Sequence, residues 1–328
     1  MSYIVAAGGV NVDIGARSER KLMAKDSNPG RVHISIGGVG HNIARNLRQL
    51  GVEVDLLTAL GGDGFAQSIR ESCARLGMEV ELLTALGGDG CARSVRESCG
   101  RLGVGLDHAL CVEDAMTSAY VYISDERGDM ALAVSDMAVC ERLTPDRFAG
   151  LVGELNGAAL VVADTNLPEA SLACLAEHVT APLFIDPVSA SKAEKLRPIL
   201  PRIHTLKPNA AEAELLSGVP VVDRNSARRA ARRLIDLGVK RVFLSLGKEG
   251  FLAAAEDETV WEPAPEAEVV NTTGAGDALM AAIAWSWLRG ENLSRTAALG
   301  AAAAAVTIES DETISPALSA ETVLASAK

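Results

Sequence analysis

Short apolar runs alternate with amphipathic stretches along most of the chain: VEVDLLTAL at 52–60, ALVVA at 159–163, PLFID at 182–186 and RVFLSLG at 241–247. Runs of strand length separated by helical patterns predict an α/β fold, with a mostly parallel sheet covered by helices. Two stretches break this rhythm. RVHISIGG at 31–38 and AYVYISDERGDMALAVSD at 119–136 read as extended segments, the second a hairpin turning at Arg127, Gly128 and Asp129. They predict a small antiparallel β element outside the main sheet, drawn from about 16–36 and 116–136.

Residues 53–78 and 79–104 are a tandem duplicate, identical at 20 of 26 positions. Each copy reads as a strand, a GGDG turn and a helix. Two copies of one βα unit fall short of the three that a solenoid needs, so the pattern implies one kinship unit repeated inside a larger domain. Either copy satisfies the same strand position, and the sequence leaves open which one takes it.

Composition narrows the classes of function. The 328 residues carry 31 Lys and Arg against 43 Asp and Glu, a formal charge of −12, with no basic cluster interleaved with aromatics. A nucleic-acid partner is not expected from that balance. The six cysteines form no Cys-x-x-Cys pair and no metal-ligand spacing with the five histidines, which points to buried, reduced thiols. The opening MSYIVAAGGVNVDIG has no basic leader, and no apolar run reaches the roughly 18 residues of a membrane span. A cytoplasmic protein with no membrane partner is the expectation.

Candidate chemistry lies in three places. In NTTGAGDALMAAIAWSWL, starting at Asn271, polar Thr272 and Thr273 precede Gly274, Ala275, Gly276 and Asp277, and a long apolar helix follows. Backbone N–H groups at such a helix start can bind a phosphate, and Asp277 could take a proton from an attacking hydroxyl. The plainer reading is a tight turn with Asp277 as a helix-end residue. The segment HTLKPNAAEAELLSG from His204 sets Lys207, Asn209 and Glu212 at the junction of a strand and a helix. Oxygen donors there suit Mg2+ through water, or else Asn209 and Glu212 form a capping box. The third place is GGVNVDIG at 8–15 with GGVGHNIARNL at 37–47, where Gly, Asn and Asp close probable strands. Neither the GxGxxG dinucleotide fingerprint nor the GxxxxGK[ST] phosphate loop is present.

Taken in order, GGVNVD, GGVGHN, KPNxxE, SLGKEG and TTGAGD resemble the ribokinase-like (PfkB) carbohydrate kinase family from end to end. DSNPGRVHISIGGVGHNIARNL from Asp26, FIDPVSASK from Phe184 and IHTLKPNAAEAELLSG from Ile203 are most similar to that family's pseudouridine kinases. The resemblance implies a ribokinase-like three-layer sandwich, with the small β element as a lid over the substrate and a contact between two subunits of a homodimer. It implies ATP and Mg2+ as cofactors, a nucleoside as substrate and phosphorylation of its 5′-hydroxyl. Asp277 takes the place of the catalytic base, with Gly274, Ala275 and Gly276 as its anion hole. Lys207, Asn209, Ser245, Gly247, Gly250 and Thr272 match nucleotide-binding positions, and Glu212 a position that meets Mg2+ through water. Asn11, Asp13, Gly38, Asn42 and Asn166 fall where the sugar is held; Asn28, Ser35, Thr117 and Asp136 are candidates for the edge of the base. Many relatives use K+ beside the GAGD turn and carry Asp where this chain has Asn271, so any K+ requirement is expected to be weak. A kinase for another nucleoside or for ribose, and a silent nucleoside-binding protein of the same fold, remain as alternatives.

Overall fold

In the computed structural model, residues 3–59, 68–69, 72, 115–127, 130–264 and 266–327 are described. Eight strands form the main sheet: β1 (Tyr3–Ala7), β4 (Glu53–Leu57), β7 (Leu160–Asp164), β8 (Leu183–Asp186), β9 (Thr205–Leu206), β10 (Arg241–Ser245), β11 (Phe251–Ala254) and β12 (Thr259–Glu262). Their order is β12-β11-β10-β9-β8-β7-β1-β4. The pairings from β4 through β10 are parallel, while β11 and β12 fold back antiparallel at one edge. The fold is the expected mostly parallel α/β sandwich, and the apolar runs found in the sequence are β4, β7, β8 and β10.

Alternation along each strand divides the core into two layers. Ile4, Ala6, Leu56, Phe184 and Phe243 pack with the helices Val39–Gln49, Ala275–Leu288 and Leu293–Ile308. Val5, Ala7, Val161, Ile185 and Leu244 pack on the opposite side with Glu169–His178, Ala210–Ser217 and Arg224–Asp236. Covered on both faces, these strands read as near-continuous apolar runs, as parallel sheets do. Cys140 and Cys174 are buried free thiols within the second layer; the other four cysteines lie outside the described residues. Among the described residues, no helix is long and apolar enough to cross a membrane.

A second sheet runs in the order β3-β2-β5-β6, from β2 (Asn11–Ser18), β3 (Gly30–Gly37), β5 (Ala119–Ser124) and β6 (Met130–Asp136). The β2–β5 pair is parallel and the outer pairs are antiparallel. It begins at Asn11, ahead of the start near 16 expected from the sequence, because β2 continues straight out of the Gly8-Gly9 turn. Of the expected hairpin turn, Arg127 is described, with its N–H donating to Asp125; Gly128 and Asp129 lie outside the described residues. One face carries Asp13, Ser35 and Tyr120 in one row and Gly15, His33 and Tyr122 in the next. The other face is apolar. At its root Val12, Ile14 and Ile36 pack on the core, and farther out Val32, Ile34, Leu132 and Val134 are exposed, each above 60%.

The first copy of the duplicated unit supplies β4, which pairs with β1 from Tyr3↔Glu53 to Ala7↔Leu57. Nearly all the rest of that copy, and the whole second copy, fall outside the described residues. β3 meets the helix Val39–Gln49 at Gly38, whose φ of 99° is left-handed and whose missing Cβ would stand 2.4 Å from the Gly9 carbonyl oxygen. Both the dihedral and the clash exclude a side chain. Gly38→Ala is therefore expected to lower stability by about 2 kcal/mol or more, read as a shifted urea midpoint at constant slope.

Candidate active site

The helix Ala275–Leu288 starts on Gly274, left-handed at φ 84°, and no side chain caps it. The first-turn N–H groups of a helix have no partner within it, and with no side chain capping them they can bind anionic oxygen. Asp277 sits in that first turn. Asn42, on the helix Val39–Gln49, donates its Nδ2 to Asp277 Oδ2 at 2.8 Å, so residues 235 apart in sequence meet at one carboxylate. Lys207 closes the other side: its Nζ lies 3.1 Å from where a Cβ on Gly276 would stand, and it pairs with Asp186 at 3.0 Å.

Asp164 and Asp186 were not singled out from the sequence. Asp164 accepts from the N–H groups of Gly9, Gly40 and Asn166 at 2.7–2.9 Å. It thereby ties the end of β7 to the end of β1 and to the start of the first helix. Each of the two aspartates closes an apolar strand run at its carboxyl end, ALVVAD and LFID. That position is where ligands bind in open α/β sheets, and it is the signal that could have found them.

Burial dominates the electrostatics. It pushes Asp277 up to about 7, with Asp186 and Asp164 adding to the rise and Asn42 and Lys207 opposing it. Asp164 is held at about 6 by burial against the N–H groups that favour its charge. Asp13 also stands at about 6, raised by burial and lowered by Asn11 and His33. Burial alone would depress the Lys207 ammonium, but Asp186, Glu212 and Asp277 hold it above its ordinary range. A carboxylate titrating near neutrality beside a retained cation and a row of free N–H donors can accept a proton while negative charge builds at the helix end.

Asn209 and Glu212 form the capping box. The Asn209 side chain accepts from Glu212 N–H, and the two Glu212 oxygens accept from the Asn209 backbone N–H and Nδ2 at 2.8 Å each. Asn209 bridges to Ser245, and Gly247 and Gly250 turn the chain beyond it. Thr272 is exposed at the approach to the GAGD turn. Asn271 places its Oδ1 on Thr273 N–H and its Nδ2 toward the Asp311 carbonyl. Among the described residues no group of three acidic, His or Cys side chains could cage a metal ion.

On the N-terminal side, Asn11 Nδ2 donates to Asp13 Oδ1 at 2.5 Å, and the Asp13 carboxylate lies over Gly37. Asn166 sits over Gly9 and accepts from Lys192 Nζ at 2.5 Å. Asn42 and Lys207 thus stand beside the Asp277 turn, Gly38 and Asn166 pack on Gly9, and Asn11 and Asp13 pair with each other at the root of the small sheet. Thr117 is buried just ahead of β5, and Ser35 shares the row and face of Asp13. Asn28 and Asp136 are placed elsewhere. The Asn28 amide is engaged within its own turn, with Met23 and Asp26, while Asp136 lies in the row of Ala119 on the opposite face and accepts from Ala138 N–H.

Comparison with known proteins gives a consistent picture. The family model described as pfkB family carbohydrate kinase matches residues 1–75 and 72–320, two stretches that meet inside the duplicated unit. The chain is 34% identical to a pseudouridine kinase of Escherichia coli, over 98% of this chain and 95% of that protein. Among solved structures, a carbohydrate kinase from Agrobacterium tumefaciens superposes with a TM-score of 0.80 at 28% identity, covering 99% of this chain and 97% of that one. A ribokinase of Arabidopsis thaliana complexed with ribose and ATP shares the fold, with a TM-score of 0.79 at 23% identity, covering 100% and 99%.

The Lys207–Asp186 pair gives a direct test of the charge arrangement. Lys207→Met leaves Asp186 buried without its cation and is expected to cost about 3 kcal/mol in urea denaturation, whereas Lys207→Met with Asp186→Leu should recover much of that loss.

Proposed function

The chain belongs to the pfkB family of carbohydrate kinases, enzymes that transfer a phosphoryl group from ATP to an alcohol, and we propose that its alcohol is the 5′-hydroxyl of pseudouridine. The observation that carries this reading is Asp277 itself. Its carboxylate titrates near neutrality at an uncapped helix start, in a chain 34% identical along nearly its whole length to a pseudouridine kinase.

In this reading Asp277 takes the 5′-hydroxyl proton as the oxygen attacks the γ-phosphorus. The N–H groups of Gly274, Ala275 and Gly276 and the Lys207 ammonium stabilise the transferring oxygens. Asp13, with Asn11 beside it, holds the ribose hydroxyls, and Asn42 fixes the Asp277 carboxylate in line. Asn209, Ser245, Gly247, Gly250 and Thr272 border the nucleotide. Mg2+ would offset phosphate charge when bound, with Glu212 reaching it through water. A K+ ion beside the GAGD turn is a weak requirement at most, since Asn271 already spends its amide on Thr273 and Asp311. The small sheet acts as a lid, and its bare Val32, Ile34, Leu132 and Val134 support a homodimer joined through that face.

With Mg2+ and ATP, turnover is expected to be highest for pseudouridine in a panel with uridine, adenosine and ribose; a preference for ribose would sink the nucleoside assignment. The kcat/KM profile should fall with unit slope below about pH 7, because protonated Asp277 cannot act as base. Asp277→Asn should lose roughly 10²–10⁴-fold in kcat with substrate binding retained. In sedimentation, the native protein should run as a dimer and a Leu132→Glu, Val134→Glu variant as a monomer.

A further inference from the structure

On the inner face of the lid, two rings meet above a strand that carries no side chain. His33 on β3 and Tyr122 on β5 flank Gly15 on β2 in register. Their Nε2 and hydroxyl lie 2.8 Å apart, with ring centroids 5.7 Å apart at 71°. A Cβ on residue 15 would stand 2.1 Å from His33 and 2.6 Å from Tyr122, so the bridge exists only because position 15 is glycine. Tyr120, in the row nearer the root, stands 5.7 Å from Tyr122. Two of the chain's three tyrosines are thus on this face, and the chemistry proposed above uses neither of them, nor His33.

The position of the bridge relative to Asp13 says what it meets. Asp13 and Gly15 are two residues apart on the same face, about 7 Å along the strand, with Gly15 on the side away from the core. In the pose proposed above, with the ribose hydroxyls at Asp13 and the 5′-hydroxyl at Asp277, C1′ lies on the far side of the sugar from Asp277, toward Gly15 and the outer rows of the lid. Free ribose ends short of the rings, whereas the base of a nucleoside reaches them. Resting on that assignment of a nucleoside substrate, we propose that the His33–Tyr122 bridge over Gly15 is the base-recognition surface. It favours nucleosides over free sugars by ring contact, and favours one base over another through the Tyr122 hydroxyl. With its proton turned onto His33, that hydroxyl offers its lone pairs to a ring N–H, the donor that pseudouridine has at N1 and uridine lacks.

The experiment is steady-state kinetics of the full chain and three variants, His33→Ala, Tyr122→Ala and Tyr122→Phe, on pseudouridine, uridine and ribose. His33 is exposed and Tyr122 half-buried, and circular dichroism with thermal melts verifies that each variant folds. Measured at about pH 8, above the Asp13 titration that His33 influences, the two alanine variants are expected to raise the nucleoside KM on the order of tenfold or more, with kcat and the ribose kinetics nearly unchanged. Tyr122→Phe keeps the ring and should reduce the preference for pseudouridine over uridine while leaving uridine itself unaffected. Native protein that prefers ribose would overturn the nucleoside assignment and this proposal with it. Native protein that prefers pseudouridine, with all three variants keeping its KM and selectivity, would overturn this proposal alone, as would equal losses on ribose and nucleoside.

Discussion

A buried carboxylate, Asp164, holds the cleft together. It stands at the end of β7 and accepts from Gly9, Gly40 and Asn166, so it joins two strand ends to the start of the first helix. That helix then delivers Asn42 to Asp277, and the Asp277 turn in its own right leans on Lys207, itself held by Asp186. Charged groups packed this closely, at the carboxyl edge of a parallel sheet, must each be matched by a donor or a cation, since an unmatched one would be costly in so dry a place. The result is a chain of mutual constraints in which few parts can move independently.

Much of this was legible in the sequence, and the reason is local. Strand runs closed by Gly, Asn or Asp, and the GAGD and KPN turns at helix starts, express backbone chemistry within a few neighbouring residues. The terminal hairpin β11–β12 was not read, because its four-residue strands are too short to show a period. Asp164 and Asp186 were missed for a different reason: each looks like an ordinary strand end, and only the assembled sheet reveals the N–H groups and the lysine that surround it. Asn28 and Asp136 illustrate the converse. Their residue types suit ligand contacts, but short-range hydrogen bonds had already claimed them, in a turn and at a strand end.

Asn209 and Glu212 show that a structural and a functional reading of one motif need not compete. The box satisfies the backbone N–H groups of Asn209 and Glu212 and, in the same act, holds the Glu212 carboxylate in one orientation, the one that the proposed Mg2+ role would use. Pre-orienting an acidic group in this way removes side-chain freedom before any ligand arrives.

The lid puts two chemistries on alternate residues of the same four strands: rings and hydroxyls on one face, aliphatic side chains on the other. A slip of one residue in the pairing of β3 would exchange them, turning Val32 and Ile34 toward the cleft and His33 outward. In that register β3 would present aliphatic side chains where the ring belongs, so one pairing specifies both faces of the strand. The irregular pairing at Ile123/Ser124 lies toward the outer end of β5, beyond the rows that carry Asp13 and Tyr122, where a shift in register leaves those rows in place.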